Sequence, residues 1–113
     1  MGLSHFSIGL SGIRAETTRV GVAADNISRL NVVGSERRQL STETNELGGV
    51  TVRVQVQEIN PAERESLSES NPNNINMVTE LTELNRGFRG VQFNSLALNK
   101  GLESLGQLIN MKI

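Results

Sequence analysis

Few side chains in this 113-residue chain could do chemistry, and their spacing does not bring them together. His5 is the only histidine. A general base needs a partner within hydrogen-bond reach, and the residues beside His5 supply none. Serines are plentiful, but none stands in the Gly-x-Ser-x-Gly turn that exposes a nucleophile. Glu63, Glu65 and Glu69 sit among proline, serine and asparagine, where acid–base work would lack fixed geometry; they read as solubilising charges. Gly48 and Gly49 are not followed by the lysine and hydroxyl residue of a phosphate loop. Arg37 and Arg38 could meet an anion, but two arginines shortly after a glycine more often begin a polar strand. Cysteine is absent, which excludes thiolate metal sites and disulfides. The expectation is a non-enzyme with no catalytic, cofactor-binding or metal-binding residues.

The elements that would have to position such groups are clearer than the groups themselves. At the N-terminal end apolar residues recur at alternating spacings of three and four: Leu3, Phe6, Leu10, Ile13, Thr17, Val20, Ala24, Ile27. At the C-terminal end the same rhythm runs through Met77, Leu81, Leu84, Phe88, Val91, Ser95, Leu98, Leu102, Leu105 and Ile109. A repeat near 3.5 keeps one side of a helix turned toward a partner over many turns, so both ends read as coiled-coil seams. The helices are placed at residues 1–31 and 74–113. Glycines 9, 12 and 21 in the first, and 87, 90, 101 and 106 in the second, each cost about 1 kcal/mol of intrinsic helicity relative to alanine. Helices so weakened need packing, and small residues let a neighbour approach closely.

Between the helices, residues 32–72 change period. Val50, Val52, Val54 and Val56 alternate with polar residues, the mark of a strand with one covered face. Arg37 to Glu43 is the candidate partner strand, giving a hairpin around 37–58 with Gly48 and Gly49 near its turn. A lone hairpin is marginal in water and needs a helix or a neighbouring subunit over its valines. Residues 60–73 read as a solvated, acidic, flexible linker. The fold class is therefore mainly α: one domain, with long N- and C-terminal helices paired antiparallel as a coiled coil, and a short β-hairpin and linker between them.

Composition narrows the partners. The acidic excess lies in residues 32–72, and neither end carries a basic stripe, so nucleic acid is not expected. No run of about 18 apolar residues is present for a membrane span. Phe6 stands where an N-myristoylation signal after Gly2 wants a hydroxyl residue, and no cleavable leader pattern opens the chain. Apolar residues at helical spacing usually build an intramolecular core. Here the seams differ in length, so part of the longer one stays open unless another chain covers it.

Ala24, Asp25, Asn26, Ile27 and Ser28, followed by Asn31, Gly34 and Arg37, resemble the N-terminal signature of the bacterial flagellar axial family, the rod and hook proteins. At the other end, Asn74, Ile75, Asn76, Thr79, Glu80 and Leu81 resemble the start of that family's C-terminal helix. Arg89, Gly90, Val91, Gln92, Phe93, Asn94 and Ser95 resemble its middle, and Glu103, Leu105, Leu108, Ile109, Asn110, Met111 and Lys112 its terminal run. Arg29, Val32, Val33, Ser35 and Val91 depart from the pattern; without proline and tyrosine, a looser backbone is expected at residues 30–35.

The resemblance implies a structural rod subunit of the basal body, of the short proximal kind, because only residues 32–72 separate the helices. It implies assembly into a helical filament that transmits torque and lines an export channel. Partners would be other rod subunits and copies of the chain, with ring or export-gate proteins possible at the periphery. Export would run through the flagellar type III apparatus without a cleaved signal. Asn26, Asn31, Asn94 and Asn110 are candidates for polar contacts that fix register. A different class stays open: a soluble coiled-coil adaptor or export chaperone that holds one partner helix.

Overall fold

The computed structural model describes residues 2–112, with side chains from Phe6 to Met111. Five elements follow in order: α1 (Gly2–Ser28), β1 (Arg37–Thr44), β2 (Val50–Gln57), a short α2 (Pro61–Arg64) and α3 (Met77–Lys112). The two long helices pack against each other, and the hairpin lies along α1. Gly9 faces Leu98, Gly12 faces Asn94, and Gly87 faces Val20. The helices are therefore antiparallel, as expected from the two seams.

The molecule is a rod in shape. Its extents are 70 × 25 × 13 Å and its radius of gyration is 19.2 Å, against about 13 Å for a compact domain of this length. Little surface can be hidden in such a shape. Among the described residues the fully covered apolar side chains are Ala15, Ala23, Ile59 and Ile75, so hydrophobic burial alone cannot account for a defined structure.

Each boundary has a local cause. Helix α1 closes with tighter turns, Arg29 N–H to the Asn26 carbonyl (3.1 Å) and Leu30 N–H to that of Ile27 (3.1 Å). Gly34 then takes a positive φ of 85°, a conformation that glycine adopts without steric cost. Helix α3 is capped by Asn76, whose Oδ1 accepts from Val78 N (2.9 Å) and Thr79 N (3.4 Å). Strands β1 and β2 pair antiparallel from Arg37 opposite Gln57 to Thr44 opposite Val50. Their turn is closed by Asn45, whose Oδ1 accepts from Gly49 N (2.9 Å), while Gly48 takes a φ of 89°.

Covering of the valine face is partial. Val50 and Val52 are half-buried, but Val54 and Val56 are exposed; the hairpin is tied to α1 at its turn through Val50 N and Ser11 Oγ and at its open end through Arg38 and Asn26. Residues 60–73, expected to be a solvated linker, are exposed apart from the half-buried Leu67, Pro72 and Asn73, and carry local order. Asn60 caps α2 through Ala62 N (3.0 Å), Ser68 bridges Asn71, and Ile59 and Leu67 anchor the segment's apolar side. The turn at 30–35 is held from outside: the Asn73 side-chain amide donates to the carbonyls of Arg29 (3.1 Å), Leu30 (2.9 Å) and Val32 (2.9 Å).

The glycines of α3 divide into two kinds. A Cβ on Gly87 would lie 2.6 Å from Val20 Cγ2 and 3.1 Å from the Glu16 carbonyl oxygen, whereas at Gly101 and Gly106 it would meet nothing within 4 Å. Gly87→Ala should therefore lower stability by about 1–3 kcal/mol through overpacking. Gly101→Ala or Gly106→Ala should raise it by about 0.5–1 kcal/mol. Thermal unfolding followed by circular dichroism would show opposite signs; the same sign for all three variants refutes the close-packed seam.

Candidate assembly interface

The line along which α1 and α3 touch shares Val20 and Leu98 with the apolar lines of the sequence and otherwise runs through small and polar residues. On α3 it runs through Glu80, Glu83, Gly87, Gly90 and Asn94 to Leu98, residues that are buried or half-buried. On α1 it runs through Gly9, Gly12, Glu16, Val20, Ala23 and Asn26. Glycine allows the backbones to come close. The Glu16 side chain lies across Gly90, and the Asn94 amide sits where a Cβ on Gly12 would be 3.0 Å away.

Charge fills what apolar side chains leave empty. Arg19 is buried, and its guanidinium donates to Glu16 Oε2 (3.0 Å) and Glu83 Oε2 (2.7 Å). Burial opposes its charge, but the hydrogen bonds from Glu83 and Glu16 and their negative field outweigh that cost, and its pKa is raised. An arginine locked between two carboxylates sets the lengthwise register of the pair more sharply than leucines can, because a shift of one turn would strand the charges.

A second polar cluster closes the end where α1, the hairpin and α3 meet. Asn26 is fully buried. Its Nδ2 donates to Glu80 Oε2 (2.9 Å) and the Arg38 carbonyl (2.8 Å), and its Oδ1 accepts from Arg38 N (3.0 Å) and Arg29 Nη2 (2.8 Å). Glu80, 1% exposed, takes Arg37 Nε at Oε1 (2.5 Å). Asn74 bridges the open end of the hairpin: Oδ1 accepts from Arg37 N (2.7 Å) and Nδ2 donates to the Gln57 carbonyl (2.8 Å). Among the described residues no buried side-chain nitrogen or oxygen lacks a partner.

The sequence-derived seams lie beside this polar line. Leu3 has its side chain outside the described residues. Phe6, Ile13, Val20 and Ile27 are half-buried, as are Leu84, Val91, Ser95 and Leu98; Leu10, Ala24, Met77, Leu81, Phe88, Leu102, Leu105 and Ile109 are exposed. At 100° per residue, Phe6, Leu10, Ile13 and Thr17 occupy the side of α1 away from Ile8 and Ser11, which touch the hairpin. Phe6 and Leu10 meet Ser95, Leu98, Asn99 and Leu102 in one groove. The two seams thus meet the partner helix at Val20 and Leu98, which pack on Gly87 and Gly9, and their remaining residues form one apolar face on the coiled-coil-like helix pair, opposite the hairpin. The physical reason is competition: the glycine and charged positions allow a closer approach and a full set of ion pairs, which leaves the larger side chains at the rim.

Of the motif residues, Asn26, Gly34, Asn74 and Glu80 converge at the polar cluster, with Gly34 N donating to the Pro72 carbonyl (2.8 Å). Asn94 lies in the helix seam. Asn31, Arg89, Gln92 and Asn110 are exposed and make no side-chain hydrogen bond among the described residues; of the four asparagines expected to make polar contacts that fix register, Asn26 makes them, while Asn94 lies against Gly12 without a side-chain hydrogen bond among the described residues. Sequence reasoning missed Arg19, Arg29 and Asn73. The paired three-residue spacings of Gly9 with Gly12 and Gly87 with Gly90 were the available sign of close backbones. Among the described residues no cluster of histidine or carboxylates could hold a metal ion, and no helix is long and apolar enough to cross a membrane.

Removing the Glu80 carboxylate leaves Arg37 and the Asn26 amide without their partner, so Glu80→Ala should cost about 3 kcal/mol. Glu80→Gln should cost less but more than nothing: Asn26 Oδ1 is already occupied, and whichever way the new amide turns it sets donor against donor. Urea unfolding compared with the exposed control Glu103→Ala, for which a change within about 0.5 kcal/mol is expected, would check the ranking.

No family model matches the chain, and no curated protein matches it.

Proposed function

We propose that this chain is a structural subunit of the bacterial flagellar basal-body rod, of the short proximal kind, built to assemble helically with copies of itself and with other rod subunits. Its role is mechanical: to carry torque along the axis and to line an export channel, without catalysis. The observation that carries the reading is the open apolar face of the helix pair. Phe88 is 54% exposed and Leu102 52%, in line with Leu81, Leu105 and Ile109. An apolar strip of that length on an elongated protein marks a surface made for association. The terminal motifs support the same conclusion, because they fall on the two helices that frame this face and on the cluster that orients them.

Helical assembly needs contacts that do not close into a ring of two. A long, narrow helix pair with one apolar side and a hairpin on the other offers different surfaces to neighbours on different sides. The apolar face suits other helices around a shared axis, and the exposed valines Val54 and Val56 suit contact with outer subunits or a surrounding ring. On this reading the protein resides in the periplasm-spanning rod and reaches it through the flagellar type III system.

Phe88→Asp and Leu102→Asp change exposed side chains, so each should shift the stability of the isolated chain by no more than about 0.5 kcal/mol. Each should nevertheless abolish incorporation into basal bodies, read by immunoblotting of purified particles from a host expressing only the variant. Normal incorporation of both variants refutes the assignment of this face. A discrete one-to-one complex with another soluble protein that survives purification, with no basal-body signal, would instead favour the adaptor.

A further inference from the structure

We propose that the hairpin tip of one copy seats Leu47 in the groove between α1 and α3 of the next. This rests on the assembly reading above and adds the contact through which copies meet sideways. Leu47 is 90% exposed. It stands in a turn fixed by three hydrogen bonds: Asn45 N to the Gly49 carbonyl (2.8 Å), Gly48 N to the Asn45 carbonyl (3.0 Å), and Gly49 N to Asn45 Oδ1 (2.9 Å). A large apolar side chain carried on a backbone already fixed on either side spares the backbone share of the ordering cost on docking.

The complementary surface is the groove lined by Phe6, Leu10, Ser95, Leu98, Asn99 and Leu102, with a volume of about 490 Å³. Its walls are mainly leucine and phenylalanine, and among the described residues no side chain fills it. Position matters as much as chemistry. The tip lies over Ile8 and Ser11: a Cβ on Gly48 would lie 3.2 Å from Ile8 Cδ1, and Val50 N donates to Ser11 Oγ (3.0 Å). The groove begins at Phe6 and Leu10, at the same height on α1 but on its opposite side. Knob and hole therefore face away from each other at one level, which is the arrangement that lets copies stand side by side in an open row.

Charge favours the same pairing. Leu47 is flanked by Glu46, with Glu43 close by in β1, and Arg14 follows Leu10 by one turn of α1. Among the described residues Arg14, Glu43 and Glu46 take part in no ion pair. An acidic tip entering a groove with an arginine one helical turn beyond its Leu10 favours this orientation over the reverse.

The chain contains no cysteine, so disulfide trapping has no background. Full-length Leu47→Cys is mixed with full-length Leu102→Cys and oxidised. Mixed dimers should form about tenfold more readily than from Leu47→Cys with Ser104→Cys, whose exposed side chain lies at the same level of α3 but off the groove, because docking raises the local thiol concentration. Glu46→Arg and Arg14→Glu should each reduce the yield, and their combination across the two partners should restore it. Equal yields with both cysteine partners, or no self-association by sedimentation up to about 1 mM, a weak-binding limit, overturns the proposal. If trapping fails while the wild-type chain still enters basal bodies, this contact is wrong and the rod reading stands. If trapping succeeds while the wild-type chain never enters them, the contact stands and the rod reading falls.

Discussion

The carboxylate of Glu80 joins three parts of the chain at one point. Through Asn26 it holds the last turns of α1, through Arg37 the first residue of β1, and by its own backbone the first turn of α3. A carboxylate this deeply covered is costly unless each oxygen is met by a donor, and here each is. That demand is what makes the arrangement specific. Moving the hairpin away from α1, or sliding α3 by a turn, would leave a buried charge uncompensated, a penalty that leucine contacts could not impose. Asn74 and Asn73 extend the same constraint to the open end of the hairpin and to the turn after α1.

From this cluster the helix pair runs outward along a seam of decreasing polarity. Glu80 and Asn26 are followed by Arg19 between Glu83 and Glu16, then by the Gly12–Asn94 contact, and then by Leu98 over Gly9. Beyond it every described side chain of α3 from Asn99 to Met111 is exposed. Register is thus set at one end by charge and is left to apolar contact at the other. Because the polar seam draws the two backbones together, the large aliphatic side chains are displaced to one side, where they add to one another instead of covering one another.

How much of this was legible in the sequence follows from which physical signal each feature carries. The helices, the antiparallel pairing, the hairpin and its glycine turn follow from periodicity and from β-branched alternation, and these signals survive without knowledge of contacts. Periodicity also picks out the apolar side of each helix, but it does not report what that side meets. Met77, Leu81, Phe88 and Leu102 are exposed in the chain for that reason. Asn26, Asn74 and Glu80 stood out only through their resemblance to terminal motifs. Nothing in their own neighbourhoods says that residues 26, 37, 74 and 80 meet, since such long-range polar matching leaves no periodic trace. Arg19 was hidden for the same reason: on α1 alone it looks like an ordinary surface arginine.

The division of labour between the seam and the open face bears on how such a chain could be stored, moved and assembled. A helix pair held together by a few buried charges and close glycine contacts, with only four fully covered apolar side chains among the described residues, has a small hydrophobic contribution to its own stability. Gly101 and Gly106 lie in open space on α3, where each still costs about 1 kcal/mol of helicity with no close contact to offset it. The isolated chain should therefore be held most loosely where its apolar face is widest. Partners that cover Leu102, Leu105 and Ile109 would supply the missing apolar burial and stabilise that same stretch of helix, so that ordering and association become one step. A chain with a self-sufficient core could not couple the two in this way, and one without the Glu80 cluster would have no fixed frame on which to present the face.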